Sequence, residues 1–191
     1  YRRQRQMCIR DSFHQVMEDA MKNTERLMPT EFMSIYEPLR EMMGEEQFAE
    51  TMGEMEGPEM YVLTNRERNR GAVNLFLPGV MERIAEQFGD SYFALPSSIH
   101  ETLLIPLHDV NGGAAALEDI RGLKEIVRQG NETQVPPQER LSDNVYFFDA
   151  GSKMFLNAEE AVSFSPDHKL VSEKNEKETG TMEQNIPYPA L

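Results

Sequence analysis

The stretch SYFALPSSIHETLLIPL, residues 91–107, decides how the fold is read. Ser91–Leu95 carries the aromatic and aliphatic side chains of a buried strand, and Pro96-Ser97-Ser98 then turns the chain. Ile99 to Leu107 reads as a second strand. Extended, it puts Ile99, Glu101, Leu103, Ile105 and Leu107 on one face and His100, Thr102 and Leu104 on the other. So short a corner joins antiparallel strands, because a parallel pair needs a crossover of about a dozen residues. The same pairing recurs to either side. Tyr61–Thr64 and Ala72–Leu77 read as antiparallel strands around a polar turn at 65–70, and Val145–Phe148 with Met154–Leu156 as a hairpin around Ala150-Gly151. Helices separate these pairs: Val80–Phe88, ended by Gly89, and Ala114–Gln129, closed by Gly130. The strand–helix alternation and glycine loop of a parallel nucleotide-binding sheet are missing. The expected class is α+β, with N-terminal helices, then a mainly antiparallel sheet with two packed helices, then a disordered C-terminal tail.

Residues 12–57 read as a helical segment. Phe13, Val16, Met17, Ala20, Met21 and Leu27 form one stripe of a helix that Pro29 breaks. Thr30 is placed to cap a second helix through Met43, with Pro38 as a kink, and 45–56 suits a short third. Ten of the thirteen methionines lie in residues 1–60, as adaptable core filler or a groove for a partner helix. Residues 58–157 make the α+β domain, and 165–191, polar and without apolar periodicity, the disordered tail.

Residues 1–11, YRRQRQMCIRD, stand apart from this plan. Back-translated, they match the transposase adapter of sequencing libraries read in frame, so they are read as adapter-derived and excluded from the fold. On that reading some N-terminal protein is missing, and the absence of a leader carries no weight. The stretch also holds four arginines and the single cysteine, so the remainder is more acidic than the −14 of the whole chain.

With 39% hydrophobic residues, the 191-residue chain can bury a core. One cysteine excludes a disulfide framework and multi-cysteine zinc sites. The acidity argues against nucleic acid as partner, and no apolar run has the length to span a bilayer, so a membrane is not expected either. The expectation is a cytoplasmic protein.

Candidate chemistry gathers at the corner. Ser97 or Ser98 with His100 would make a nucleophile and base, with an acid such as Asp143 drawn from elsewhere. Against this, alternation along a strand points His100 and Glu101 apart, and serines at a corner commonly bond backbone groups. No catalytic residue is assigned on this basis. The turn Asn65-Arg66-Glu67-Arg68-Asn69-Arg70 carries three arginines able to hold a phosphate or an acidic peptide, or simply to be solvated. A binding surface is expected from Asn65, Arg66, Arg70, Ser97, Ser98, His100 and Glu101, joined by the segment Gln134–Asp143. His100 and His108, with Asp109 adjacent, lack any metal-ligand spacing, so no metal and no cofactor is expected. Asn131-Glu132-Thr133 fits the glycosylation acceptor pattern, which matters only in a secreted protein.

With those residues in view, the chain resembles a bacterial family of unknown function, number 5688 among such domains. The resemblance rests on MPTEFMSIYEPLREMMG at 28–44, MYVLTN at 60–65, RGA at 70–72, FALPSSIHE at 93–101 and NETQVPPQERLSDNVYFFD at 131–149. It spans roughly residues 12–150 and matches the C-terminal portion of such a protein. It implies an intracellular protein and carries no catalytic residue. Function is therefore expected to be that of a non-enzymatic binding or regulatory module with a protein or small-molecule partner. The alternative is a hydrolase or transferase using Ser97 or Ser98 with His100.

Overall fold

The computed structural model describes residues 12–44, 46–48, 58–96, 98–165 and 167–172. The adapter reading of 1–11 and most of the tail, 173–191, lie outside the described residues, as do Ser97 and most of the third-helix reading at 45–56. Six strands form one antiparallel sheet in the order β1-β2-β4-β3-β6-β7: β1 (Thr30–Ser34), β2 (Tyr61–Asn65), β3 (Tyr92–Leu95), β4 (Thr102–Pro106), β6 (Tyr146–Asp149) and β7 (Met154–Asn157). A second, two-stranded sheet pairs β5 (Ala114–Ala116) with β8 (Lys169–Val171). The α+β class read from the sequence is the one the molecule adopts.

Both faces of the large sheet are covered, and the period-two alternation assigns each strand residue to a side. Phe93, Leu95, Ile105, Leu107 and Phe147 pack beneath α4 (Leu117–Gln134) and α5 (Ala158–Phe164). Tyr92, Ala94, Leu104, Phe148 and Leu63 pack on the opposite side beneath α3 (Val80–Phe88). Strand β3 thus buries all four of its side chains, which is why YFAL reads as an unbroken apolar run. Fully burying side chains of this size contributes about 1.5–3 kcal/mol each, so this strand is the anchor of both cores.

Six local readings are corrected. Thr30–Ser34 is the edge strand β1, in five-residue register with β2, rather than the start of a helix. Its polar and apolar residues fit either period, and pairing with β2 decides between them. Helix α2 begins only at Glu37, so Pro38 stands in its first turn, where its missing N–H costs nothing, and is no kink. Residues 71–76 form a 3-10 helix rather than a strand, and β2 pairs with β1 and β4 instead. Residues 98–101 lie before β4, which starts at Thr102, so strand alternation does not orient His100 and Glu101. The helix read from Ala114 opens as strand β5, and α4 begins at Leu117, where the Asp119 carboxylate accepts the Ala116 N–H at 2.8 Å. It then runs through Gly130 to Gln134. Finally, the tail is ordered at its start. Leu170 of β8 (Lys169–Val171) joins the core within the stretch read as a disordered tail, and helix α5 fills residues 158–164, to which no element was assigned.

Helix α1 (Phe13–Leu27) forms as read, with the Ser12 hydroxyl accepting the Gln15 N–H. It buries no residue, and Met21 is its one apolar side chain packed against the α3-side core.

Candidate functional site

Three segments distant in sequence meet at His100. The first is the turn after β2, which Asn65 organises. Its carbonyl accepts the Arg68 N–H at 2.8 Å, its Oδ1 the Asn69 N–H at 3.2 Å, and its Nδ2 donates to the Asn69 carbonyl at 2.8 Å. A fully buried amide bonded in this way holds the turn's shape, and Arg68 and Arg70 take left-handed backbone angles within it. The chain leaving the turn then pairs with the corner. Arg70 N–H donates to His100 Nδ1 at 3.2 Å, Gly71 N–H to the His100 carbonyl at 2.9 Å, and Ala72 N–H to the Ile99 carbonyl at 3.2 Å. The Thr64 hydroxyl donates to that same His100 carbonyl at 2.8 Å.

The third segment approaches from the other side. Ile99 N–H donates to the Glu139 carbonyl at 2.9 Å, and Ser98 forms a single antiparallel bridge with Arg140. Glu139 Oε2 stands 3.5 Å from His100 Nε2. With Nδ1 accepting from Arg70, the neutral imidazole carries its proton on Nε2, facing that carboxylate. Residues 65–71, 98–101 and 139–140 therefore form one surface around a single ring. Arg66 and Arg70 are exposed on it, and Arg66 Nε lies 3.8 Å from Glu31. Arg68 and Glu101 border a hollow of about 160 Å³ over Met33, Ile35 and Val62.

The nucleophile arrangement is not assembled among the described residues. The Ser98 hydroxyl accepts the His100 and Glu101 N–H groups, at 3.1 and 3.3 Å, and makes no bond to the imidazole. Asp143 accepts from Asn131 Nδ2, and the carboxylate paired with His100 is that of Glu139. Asn131 itself is 1% exposed, with its Nδ2 shared between Asp143 and the Ser142 carbonyl, so the glycosylation triplet presents no free acceptor. Ser97 is outside the described residues. Among those residues no group of three or more His, Cys, Asp or Glu is placed to hold a metal.

Sequence reasoning passed over a second polar centre. The Asp90 side chain is fully buried at the entrance to β3. Its Oδ1 accepts the Ser91 N–H at 2.8 Å, and its Oδ2 takes the His108 N–H at 3.1 Å, His108 Nδ1 at 3.0 Å and the Ser172 hydroxyl at 2.6 Å. Gly89-Asp90-Ser91 before an apolar strand was the available signal; partners 18 and 82 residues away were not. The carboxylate ties β3, the exit of β4 and the end of β8 together, a structural office for His108.

The model of a family of unknown function, DUF5688, matches residues 6–150, which include the corner, the arginine turn and Glu139 with Arg140. Strand β7, α5 and β8 follow the matched region. No curated protein and no solved structure matches the chain. With three-quarters of its length matched by that family's model, the chain belongs to the family of unknown function DUF5688.

Proposed function

We propose that the protein is a non-enzymatic binding or regulatory module of the bacterial cytoplasm, and that the surface around His100 recognises its partner. One observation carries this reading: turn 65–70, corner 98–101 and residues 139–140 are held together by backbone and imidazole bonds while the arginines of the turn stay exposed. A rigid frame of this kind lowers the ordering cost of binding, because the frame is set before the partner arrives. Arg66, Arg68 and Arg70 suit carboxylate or phosphate groups, so a protein segment or small molecule bearing them is the expected partner. No nucleic acid, membrane, metal or cofactor enters this reading.

The test pairs binding with turnover. Titration of the full chain with an aspartate-rich peptide and with a phosphorylated one, followed by amide NMR, is expected to shift residues 65–72 and 98–101. The double variant Arg66→Ala/Arg70→Ala should weaken that binding by about tenfold or more. Ser98→Ala is expected to cost about 1 kcal/mol of stability by removing the acceptor of two N–H groups. Ester or phosphoester hydrolysis by the wild type that Ser98→Ala and His100→Ala abolish would instead make the corner catalytic.

A further inference from the structure

The chain leaving the arginine turn forms the 3-10 helix Gly71–Phe76, whose positions divide sharply between inside and outside. Gly71, Ala72, Asn74 and Leu75 are buried, whereas Val73 and Phe76 are 53% and 56% exposed. A 3-10 helix has three residues per turn, so side chains three apart eclipse one another at a step of about 6 Å along the axis. Val73 and Phe76 therefore stand in one row. Arg70, also exposed, occupies the position just before it.

Single exposed apolar side chains are ordinary on protein surfaces. This row differs because it is braced and because it continues into further aromatic surface. Leu75 and Leu77 anchor the helix in the α3-side core, and Asn74 Nδ2 donates to the Met28 carbonyl at 3.1 Å. The Phe76 ring meets Phe155 of β7 edge-on with centroids 5.8 Å apart, and Phe155 stacks on the half-buried Tyr146 at 5.3 Å. A phenyl group held in this way loses little freedom when a partner covers it. The charge beside it is complementary to an acid. In a chain with 33 acidic and 19 basic residues, the Arg70 guanidinium still has no ion-pair or hydrogen-bond partner among the described residues.

We propose that the row Arg70, Val73 and Phe76 reads an extended segment of a partner protein, one that carries an acidic and two apolar side chains at alternate positions. This rests on the reading that the arginine turn recognises an acidic partner, and it supplies the apolar half of what is recognised. Same-face side chains of an extended strand lie about 6.6–6.8 Å apart, close to the step of the row. The carboxylate pairs with the Arg70 guanidinium, one apolar side chain covers Val73, and the next packs on Phe76 and Phe155. A helical partner lays its apolar face into a groove, whereas this surface is a row one residue wide.

The experiment is an NMR titration of the full chain with three synthetic peptides, each made in both chain directions. The first carries glutamate, leucine and phenylalanine at alternate positions between serines, the second replaces leucine and phenylalanine by serine, and the third spaces the same two apolar residues four apart. The first is expected to bind with a Kd of about 100 μM, in the range of weak, transient contacts, and about tenfold more tightly than the other two. It should shift the Val73 methyl signals and the ring signals of Phe76 and Phe155. Val73→Ser/Phe76→Ser, at two exposed positions, should reduce its affinity to that of the serine peptide. If the serine peptide shifts residues 65–72 and binds as tightly as the first, this proposal falls while the acidic-partner reading stands. If no peptide binds by about 1 mM, both fall. The proposal is also overturned if the four-spaced peptide binds as tightly as the first, if the double variant binds the first peptide like the wild type, or if the shifts map away from this row.

Discussion

At Gly71 an added Cβ would lie 2.4 Å from Thr64 Oγ1, 2.5 Å from the Asn65 nitrogen and 2.8 Å from the His100 carbonyl oxygen. Two of those three atoms are backbone, so the contact is not relieved by a rotamer change. The close approach is what lets the Gly71 N–H reach that carbonyl and dock the arginine turn against the corner. Gly71→Ala is therefore expected to destabilise the protein by about 2–3 kcal/mol, read as a lower urea midpoint with an unchanged slope. It should also loosen the surface around His100, seen as loss of the dispersed amide signals of residues 66–72. Wild-type stability in this variant would mean that the two segments separate without cost.

Among the elements, α1 and α4 form a contrast. Both are amphipathic and were both read from helical spacing, yet α1 buries nothing while α4 buries Ile120, Leu123, Val127 and Asn131. Helical stability in proteins comes mostly from packing an apolar face, so the two should open at different rates. Hydrogen exchange is expected to run at least about a hundredfold faster in residues 16–27 than in 121–131. Equal protection would show that α1 is covered in solution. The same contrast explains what the sequence could and could not disclose. Strand β3 was legible because burial on both faces leaves a uniform apolar run between turn residues, and the β6–β7 hairpin because two short apolar runs flank Ala150-Gly151. Strand β1 was not, because Thr30-Glu31-Phe32-Met33-Ser34 satisfies two periods at once and only a distant partner chooses one. At the candidate site, the clustering of 65–70 with 98–101 followed from the placement of loops beside strands. The roles of Ser98 as a backbone acceptor and of Asp143 as a partner of Asn131 depended on contacts that spacing does not encode.

For the molecule as a whole, the two cores meet through a sheet whose tyrosines lie on the α3 side. Burial first, and the neighbouring Glu59 carboxylate second, push the Tyr61 hydroxyl up to about 12. Burial, with Glu82 a lesser cause, also raises Tyr92, whose hydroxyl donates to the Met81 carbonyl at 3.4 Å. A hydroxyl that holds its proton more tightly when folded contributes stability that is complete below pH 10. For Tyr61 that contribution is lost as pH rises from 10 to about 12. Alkaline unfolding is thus expected to begin in this window, with tyrosinate absorbance near 295 nm appearing together with loss of far-ultraviolet ellipticity. Tyrosinate that forms fully while the ellipticity persists would contradict it.

The carboxylate of Asp90 accepts from Ser172, 82 residues later, and that bond carries a consequence for the order in which the chain is made. Every strand of the large sheet is synthesised before β8, so a growing chain can assemble the sheet while one acceptor position on a buried charge still awaits its donor. Residues 169–172 then act as a completion signal, converting a sheet already formed into a closed molecule. Chains ending at residues 150, 165 and 172 should show this as a step rather than a slope. Protease resistance of the Asp90–His108 region is expected to appear only once Ser172 is present.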